Sequence, residues 1–199
     1  MKRHAGRYLV FTLLIVALFG IVDGLYIQVK AVAAQYLLKK AWQETVAQQK
    51  PVKPWPWADT WPVARLRVER LGIDCIVLAG DSGEVLAFGP GHLSQSAVPA
   101  TEGNCVLMGH RDTSFSFLKD IVTGDILSLQ NVDERERHYE IVSTTVKKSR
   151  ELFLEETVTP WLTLVTCYPF DTLAMEKDLR FVVFARELKR PGEEISGFS

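Results

Sequence analysis

The chain has 199 residues, 47% of them hydrophobic and 24% charged, enough for one ordinary domain with a packed core and an additional segment at one end. Its net charge of -1 conceals an asymmetry: residues 1–56 carry eight Lys or Arg against two Asp or Glu, and residues 57–199 carry 15 against 22. An acidic main domain speaks against nucleic acid as a partner, and the basic leading segment suits an anionic membrane surface.

Tyr8 to Ile27 is a nearly continuous apolar run of the length that crosses a bilayer, preceded by Lys2, Arg3 and Arg7 and interrupted only by Asp23. Ala31-Val32-Ala33 resembles a signal-peptidase site. The run, however, exceeds the roughly 7 to 15 residues of a signal core, and Lys30 intervenes, so an uncleaved transmembrane anchor is expected. Lys30, Lys39 and Lys40 flank its far end, so basic residues alone leave the orientation open. Gln28 to Gln49 has few breakers and apolar residues at helical spacing, which predicts a stalk continuing the membrane helix. The prolines at 51, 54, 56 and 62 exclude helix and predict a stiff spacer, with Trp61 packed on the domain that follows.

From Val63 the pattern changes to short strands between turns. Alternation over Ala64–Val68 and the apolar stretch Ile73–Ala79 predict two strands, with a short helix over Glu84–Phe88 behind Ser82. Gly89-Pro90-Gly91 ends that helix, and His92 opens a polar loop reaching Asn104. Further strands are predicted at Cys105–Gly109, Asp125–Leu129, Tyr139–Val146, Leu162–Cys167 and Phe181–Ala185, and a short helix at Phe115–Asp120. About seven strands at this spacing predict a mostly β, closed or nearly closed barrel. Residues 189–199 read as a solvated tail.

Cys75, Cys105 and Cys167 form no paired-cysteine motif and have no histidine cluster beside them, which argues against zinc. Cys75 and Cys105 sit within strands as small core residues, with a disulfide between them left open. Cys167 differs. It ends the strand Thr163-Leu164-Val165-Thr166-Cys167 and faces a turn at Tyr168-Pro169, the setting of a nucleophile on a rigid support. His110 ends another apolar strand in Gly109-His110-Arg111-Asp112-Thr113, and Arg180 begins a third. A thiolate attacks, an imidazole moves the proton, and a guanidinium, always charged, meets the developing oxyanion. Arg186 lies at the far end of the same strand as Arg180, and Arg111, adjacent to His110, is expected to pair with an acid. His92 and His138 are expected to be structural or exposed.

These segments, 57 residues apart (110 to 167) and 13 residues apart (167 to 180), resemble the signature of the sortase family, and Gly89-Pro90-Gly91-His92 and Phe115-Ser116-Phe117-Leu118 agree with it. The resemblance covers about residues 63–187. It implies an eight-stranded sortase-type β-barrel behind the N-terminal transmembrane helix, and a cysteine transpeptidase that cuts an LPxTG-like C-terminal sorting signal and passes the acyl group to an amine. Cys167 is then nucleophile, His110 acid/base and Arg180 the oxyanion cation, with Thr166 shaping the substrate and oxyanion region. The expected organisation is a cytoplasmic N-terminus at 1–7, an anchor at 8–27, a stalk and linker at 28–62, a catalytic domain at 63–188 and a tail at 189–199.

The partners implied are a substrate protein bearing that signal and an amine acceptor such as a peptidoglycan precursor, and no cofactor is implied. A calcium site, used by some sortases, is not expected: the loop before His110 holds a single carboxylate, Glu102, where calcium takes six to eight oxygens. The short domain, the Trp-Pro linker and Thr166-Cys167-Tyr168-Pro169-Phe170 resemble the Gram-negative, marine proteobacterial type, placing the domain on the periplasmic side of the inner membrane. Other classes are an L,D-transpeptidase, whose Ser-His-Gly-Cys stretch is absent; a papain-like hydrolase, whose cysteine precedes its histidine; and a non-catalytic anchored binding module.

Overall fold

Strand β1 (Pro62–Val68) carries the pattern on which the domain is built. Ala64, Leu66 and Val68 are fully buried, and the intervening Arg65 and Arg67 face outward. Arg65 makes two hydrogen bonds to Asp74 on the next strand, at 2.7 and 2.6 Å, and these hold the Asp74 carboxyl below the usual carboxylate range. The inward apolar set sends this strand to a core, and the outward charges keep the other face wet.

The computed structural model describes residues 2–151, 157–170 and 178–188; the expected tail at 189–199 lies outside them. Seven further strands follow: β2 (Ile73–Ala79), β3 (Gly91–His92), β4 (Asn104–Gly109), β5 (Ile126–Asn131), β6 (Glu136–Lys148), β7 (Trp161–Cys167) and β8 (Leu179–Glu187). They close into a barrel in the order β1-β2-β3-β4-β7-β8-β6-β5, with β5 returning to β1. The pairs β2–β3 and β4–β7 are parallel and the others antiparallel. Leucines from four strands, with Tyr139 and Ile141 of β6, fill the interior.

Strand β3 corrects the expectation of a loop at His92. Two residues are too few to show alternation, and the deciding contact is tertiary. A Cβ on Gly91 would lie 2.1 Å from the Gly80 carbonyl oxygen, so only glycine lets this segment enter the sheet. His92 is buried, its Nε2 2.9 Å from the Ala97 carbonyl and 3.2 Å from the Ser96 hydroxyl, and burial lowers its pKa. Strand β6 carries a bulge between Ile141 and Ser143 against β8, and this reverses which residues face inward over the rest of the strand.

Two compact units divide the chain at Leu37. The long helix α1 (Lys2–Gln48) begins in the first, where Leu13, Phe19, Leu25 and Val32 are among the large apolar side chains it exposes. Over Leu13–Gln48 it is long and apolar enough to cross a membrane by length and composition. Its last turns belong to the second unit, where Leu38 and Trp42 are buried against Ile76, Leu78 and Val85. Gln49 ends the helix in the left-handed region (φ 52°), its side chain donating to the Val46 and Val132 carbonyls at 2.9 and 3.0 Å. In the spacer that follows, Trp55 packs edge-on against Phe88 at 4.7 Å, and Trp61, expected to be the packed one, is 36% exposed. Ser82 caps the short helix α2 (Gly83–Leu86) by accepting from the Val85 N–H.

Candidate active site

Strands β4 and β7 run side by side in parallel and end together. Gly109 is in register with Thr166, so the next residue of each chain is His110 on one side and Cys167 on the other. Strand β8 runs antiparallel to β7 and begins where β7 ends, setting Arg180 directly opposite Cys167. Opposed residues across neighbouring strands lie about 4.5–5.5 Å apart at Cα and point to the same face. Three segments that are far apart in sequence thus deliver a thiol, an imidazole and a guanidinium to one corner of the barrel.

The face is set by strand parity. Leu107 of β4, Leu162 and Leu164 of β7, and Val183 and Ala185 of β8 point into the barrel core. Val106, Val165 and Val182 point outward, forming a second small cluster covered by Leu93, Met108 and Phe184. Cys167 has the parity of Val165, and Arg180 that of Val182. Alternation carried one residue past Gly109 brings His110 to the face of Val106 and Met108. His110 is exposed, and Cys167 and Arg180 are half-buried.

Thr166 lies on the other side. It is 2% exposed, faces inward, and its hydroxyl donates to the Gly109 carbonyl at 2.7 Å. This hydrogen bond ties the end of β7 to the end of β4. Gly109 is needed there, because a Cβ would meet the Phe115 ring at 2.6 Å. Phe115 is fully buried and its N–H donates to the His110 carbonyl at 2.9 Å, which anchors the turn after the histidine from below.

Arg111 makes a contact that the sequence did not suggest. Its side chain approaches Asp112 at 3.3 Å, in line with the expected acidic partner, and its Nη1 also donates to the Pro169 carbonyl at 2.5 Å. The turn after His110 is therefore clamped to the turn after Cys167. Tyr168, Phe170 and Phe181 pack together beside it, with Phe170 against Phe181 at 5.2 Å. Arg186 pairs in register with Trp161, at the opposite end of β7 from Cys167.

The three thiols differ sharply in their surroundings. No disulfide joins Cys75 to Cys105. Burial pushes the Cys75 thiol up to about 12 and raises that of Cys105 as well, so both stay protonated and inert at neutral pH. Cys167 is the thiol at a strand end with access to solvent. Glu102, the carboxylate of the loop before β4, pairs with Arg137 at 2.8 Å. Among the described residues no three His, Cys, Asp or Glu side chains gather as metal ligands do.

The sequence pattern of the family described as Sortase domain matches residues 66–188, well over half of the chain. The protein belongs to the sortase family. Among curated proteins it is similar to sortase D of Bacillus subtilis (strain 168), 29% identical over 125 residues, a match covering 62% of each chain. Among solved structures the fold matches that of a sortase D5 transpeptidase of Clostridium perfringens, with a TM-score of 0.65 at 18% identity over 79% of this chain and 99% of that one. A sortase A from Listeria monocytogenes aligns with a TM-score of 0.56 at 25% identity, covering 64% of this sortase and 88% of the other. Closed eight-stranded barrel and family thus agree, and the corner holding Cys167 lies inside the matched residues.

Proposed function

We propose that this sortase is a membrane-anchored cysteine transpeptidase that acts on an LPxTG-like C-terminal sorting signal. The observation carrying this reading is the register that sets Cys167 opposite Arg180 on β8 and level with the residue after Gly109 on β4, which is His110. The Cys167 thiolate attacks the scissile carbonyl, and the guanidinium of Arg180 meets the oxygen as it turns negative. A well-placed donor of this kind is worth about 3 to 4 kcal/mol in the transition state. As the C–N bond breaks, imidazolium at His110 protonates the departing amine, leaving a thioester on the sulfur. An acceptor amine then gives up a proton to His110 and attacks the thioester, which forms the new amide and releases the thiolate. Thr166 and Arg111 serve by holding the two strand ends together.

Helix α1 is read as a single-pass anchor, with the barrel on the periplasmic side of an inner membrane, as in the Gram-negative, marine proteobacterial type. The acceptor is an amine on a cell-envelope component, such as a peptidoglycan precursor.

Intact-mass spectrometry of the full chain in detergent, mixed with a panel of Leu-Pro-x-Thr-x peptides, tests the reading. The expected result is an acyl adduct that is absent from Cys167→Ala and discharged faster by an added amine. A Cys167 that reacts with a small thiol reagent but forms no adduct with any peptide would overturn the substrate class. A Cys167 inert to both would overturn the enzyme.

A further inference from the structure

The row of side chains at the site does not stop at Arg180. Lys147 of β6 is in register with Arg180, so Cys167, Arg180 and Lys147 lie side by side across three neighbouring strands, two of them cations. Directly opposed like charges destabilise a sheet. The bulge between Ile141 and Ser143 creates this arrangement. Before it, Ile141 faces inward opposite Ala185; after it, Ser143 pairs with outward-facing Phe184, and Thr145 and Lys147 follow on the outer face. With uninterrupted alternation Lys147 would point into the barrel with Ile141. The Lys147 ammonium lies 5.9 Å from the Phe184 ring centroid, and Phe184 covers the outer apolar cluster beside the site. Among the described residues no carboxylate pairs with it.

We propose that Lys147 is a specificity-determining residue that selects an acyl donor carrying a carboxylate two or three residues from the scissile carbonyl. The assignment rests on the transpeptidase reading above. Two inter-strand steps separate Cys167 from Lys147, about 10 Å, and an extended peptide advances about 3.3 Å per residue. A donor whose carbonyl sits over Cys167 and Arg180 therefore brings a side chain two or three residues away within reach of the ammonium. The amine acceptor does not fit the same role, because an amine is cationic before it reacts and the Lys147 ammonium repels it. In the reading above Arg180 serves the carbonyl oxygen, which leaves the neighbouring ammonium, a compact charge on a flexible stem, for the substrate's own carboxylate.

The test uses the full chain in detergent and matched peptides with Asp or Asn at each of the three positions on the acyl side of the scissile bond. At one position the Asp peptide is expected to have about a fivefold higher kcat/KM, as a partly exposed ion pair supplies. The preference declines as salt is raised. Lys147→Met brings the ratio to about one, and Lys147→Glu reverses it in favour of a peptide with Lys at that position. A ratio that survives Lys147→Met overturns the assignment. So does an equal slowing of every peptide in that variant, which would make Lys147 a support of the chemistry or the fold. A ratio of one at all three positions in the wild-type enzyme, with the Cys167 adduct forming normally, removes Lys147 alone. No adduct on any peptide overturns the substrate class proposed above and this assignment with it.

Discussion

The two faces of β7 share one backbone and meet different demands. Leu162, Leu164 and Thr166 point into the barrel, where Leu164 is fully buried and Thr166 spends its hydroxyl on the Gly109 carbonyl. Val165 and Cys167 point outward, onto a small apolar cluster that opens at the strand end beside Arg180 and His110. A side chain on the inner face acts by filling volume, so its loss is felt by the whole barrel. In the proposed reading, one on the outer face at the strand end acts by chemistry, and its loss is expected to leave the fold intact.

Substitutions on the two faces break this comparison in different observables. The largest effect is expected from Cys167→Ala: no acyl adduct and no turnover, with the thermal midpoint little changed. Cys105→Ala, which removes a thiol that burial keeps protonated, retains turnover, so a shared loss in the two variants would break the distinction. Arg180→Lys is expected to lower kcat by about 10² to 10³, the scale of one lost oxyanion donor, because an ammonium does not reproduce the guanidinium fork. Single-turnover acylation of the full chain measures it.

On the inner face, Leu164→Ala is expected to cost about 3 kcal/mol of stability through the cavity it leaves. Denaturant unfolding reads this, and activity measured well below the unfolding midpoint changes far less. Asp125 sharpens the comparison from the barrel rim. Hydrogen bonds from the Arg70 guanidinium hold its carboxyl below the usual range, with one contact at 2.6 Å. A carboxyl depressed in the folded state stabilises above its unfolded pKa, near 4, and that contribution is lost as pH falls through the folded value. Asp125→Asn is therefore expected to lower stability at neutral pH by about 2 kcal/mol and to shrink the acid-induced part of the loss. The smallest effect falls on Thr166→Val, about 1 kcal/mol for the lost hydrogen bond together with a partial loss of rate. A rate loss in Thr166→Val as large as that of Arg180→Lys would place Thr166 among the groups that meet the substrate.

Much of the barrel was legible because half-buried strands write their period into the sequence. Alternation in β1 and the apolar runs of β2, β4, β7 and β8 each carry that signal locally. The candidate site was legible for a related reason. Cys167, His110 and Arg180 each stand at an end of such a run, where a polar or reactive group has no packing task. Strand β3 escaped notice because two residues have no period, and its place depends on how closely Gly91 approaches Gly80. The clamp from Arg111 to the Pro169 carbonyl joins positions 58 residues apart, and nothing local to either announces it.

Sequence alone marked every strand segment except β3, the long apolar helix that precedes them, and Cys167, His110 and Arg180 as the candidates for acyl transfer. These follow from side-chain periodicity and from chemistry carried by single residues. Only the tertiary structure decided that β4 and β7 end level with each other, that Thr166 turns away from the site, and that the bulge in β6 carries Lys147 round to the face of Arg180. Register and bulges are properties of strand pairs, settled by contacts between distant segments, so neither strand's sequence holds them by itself.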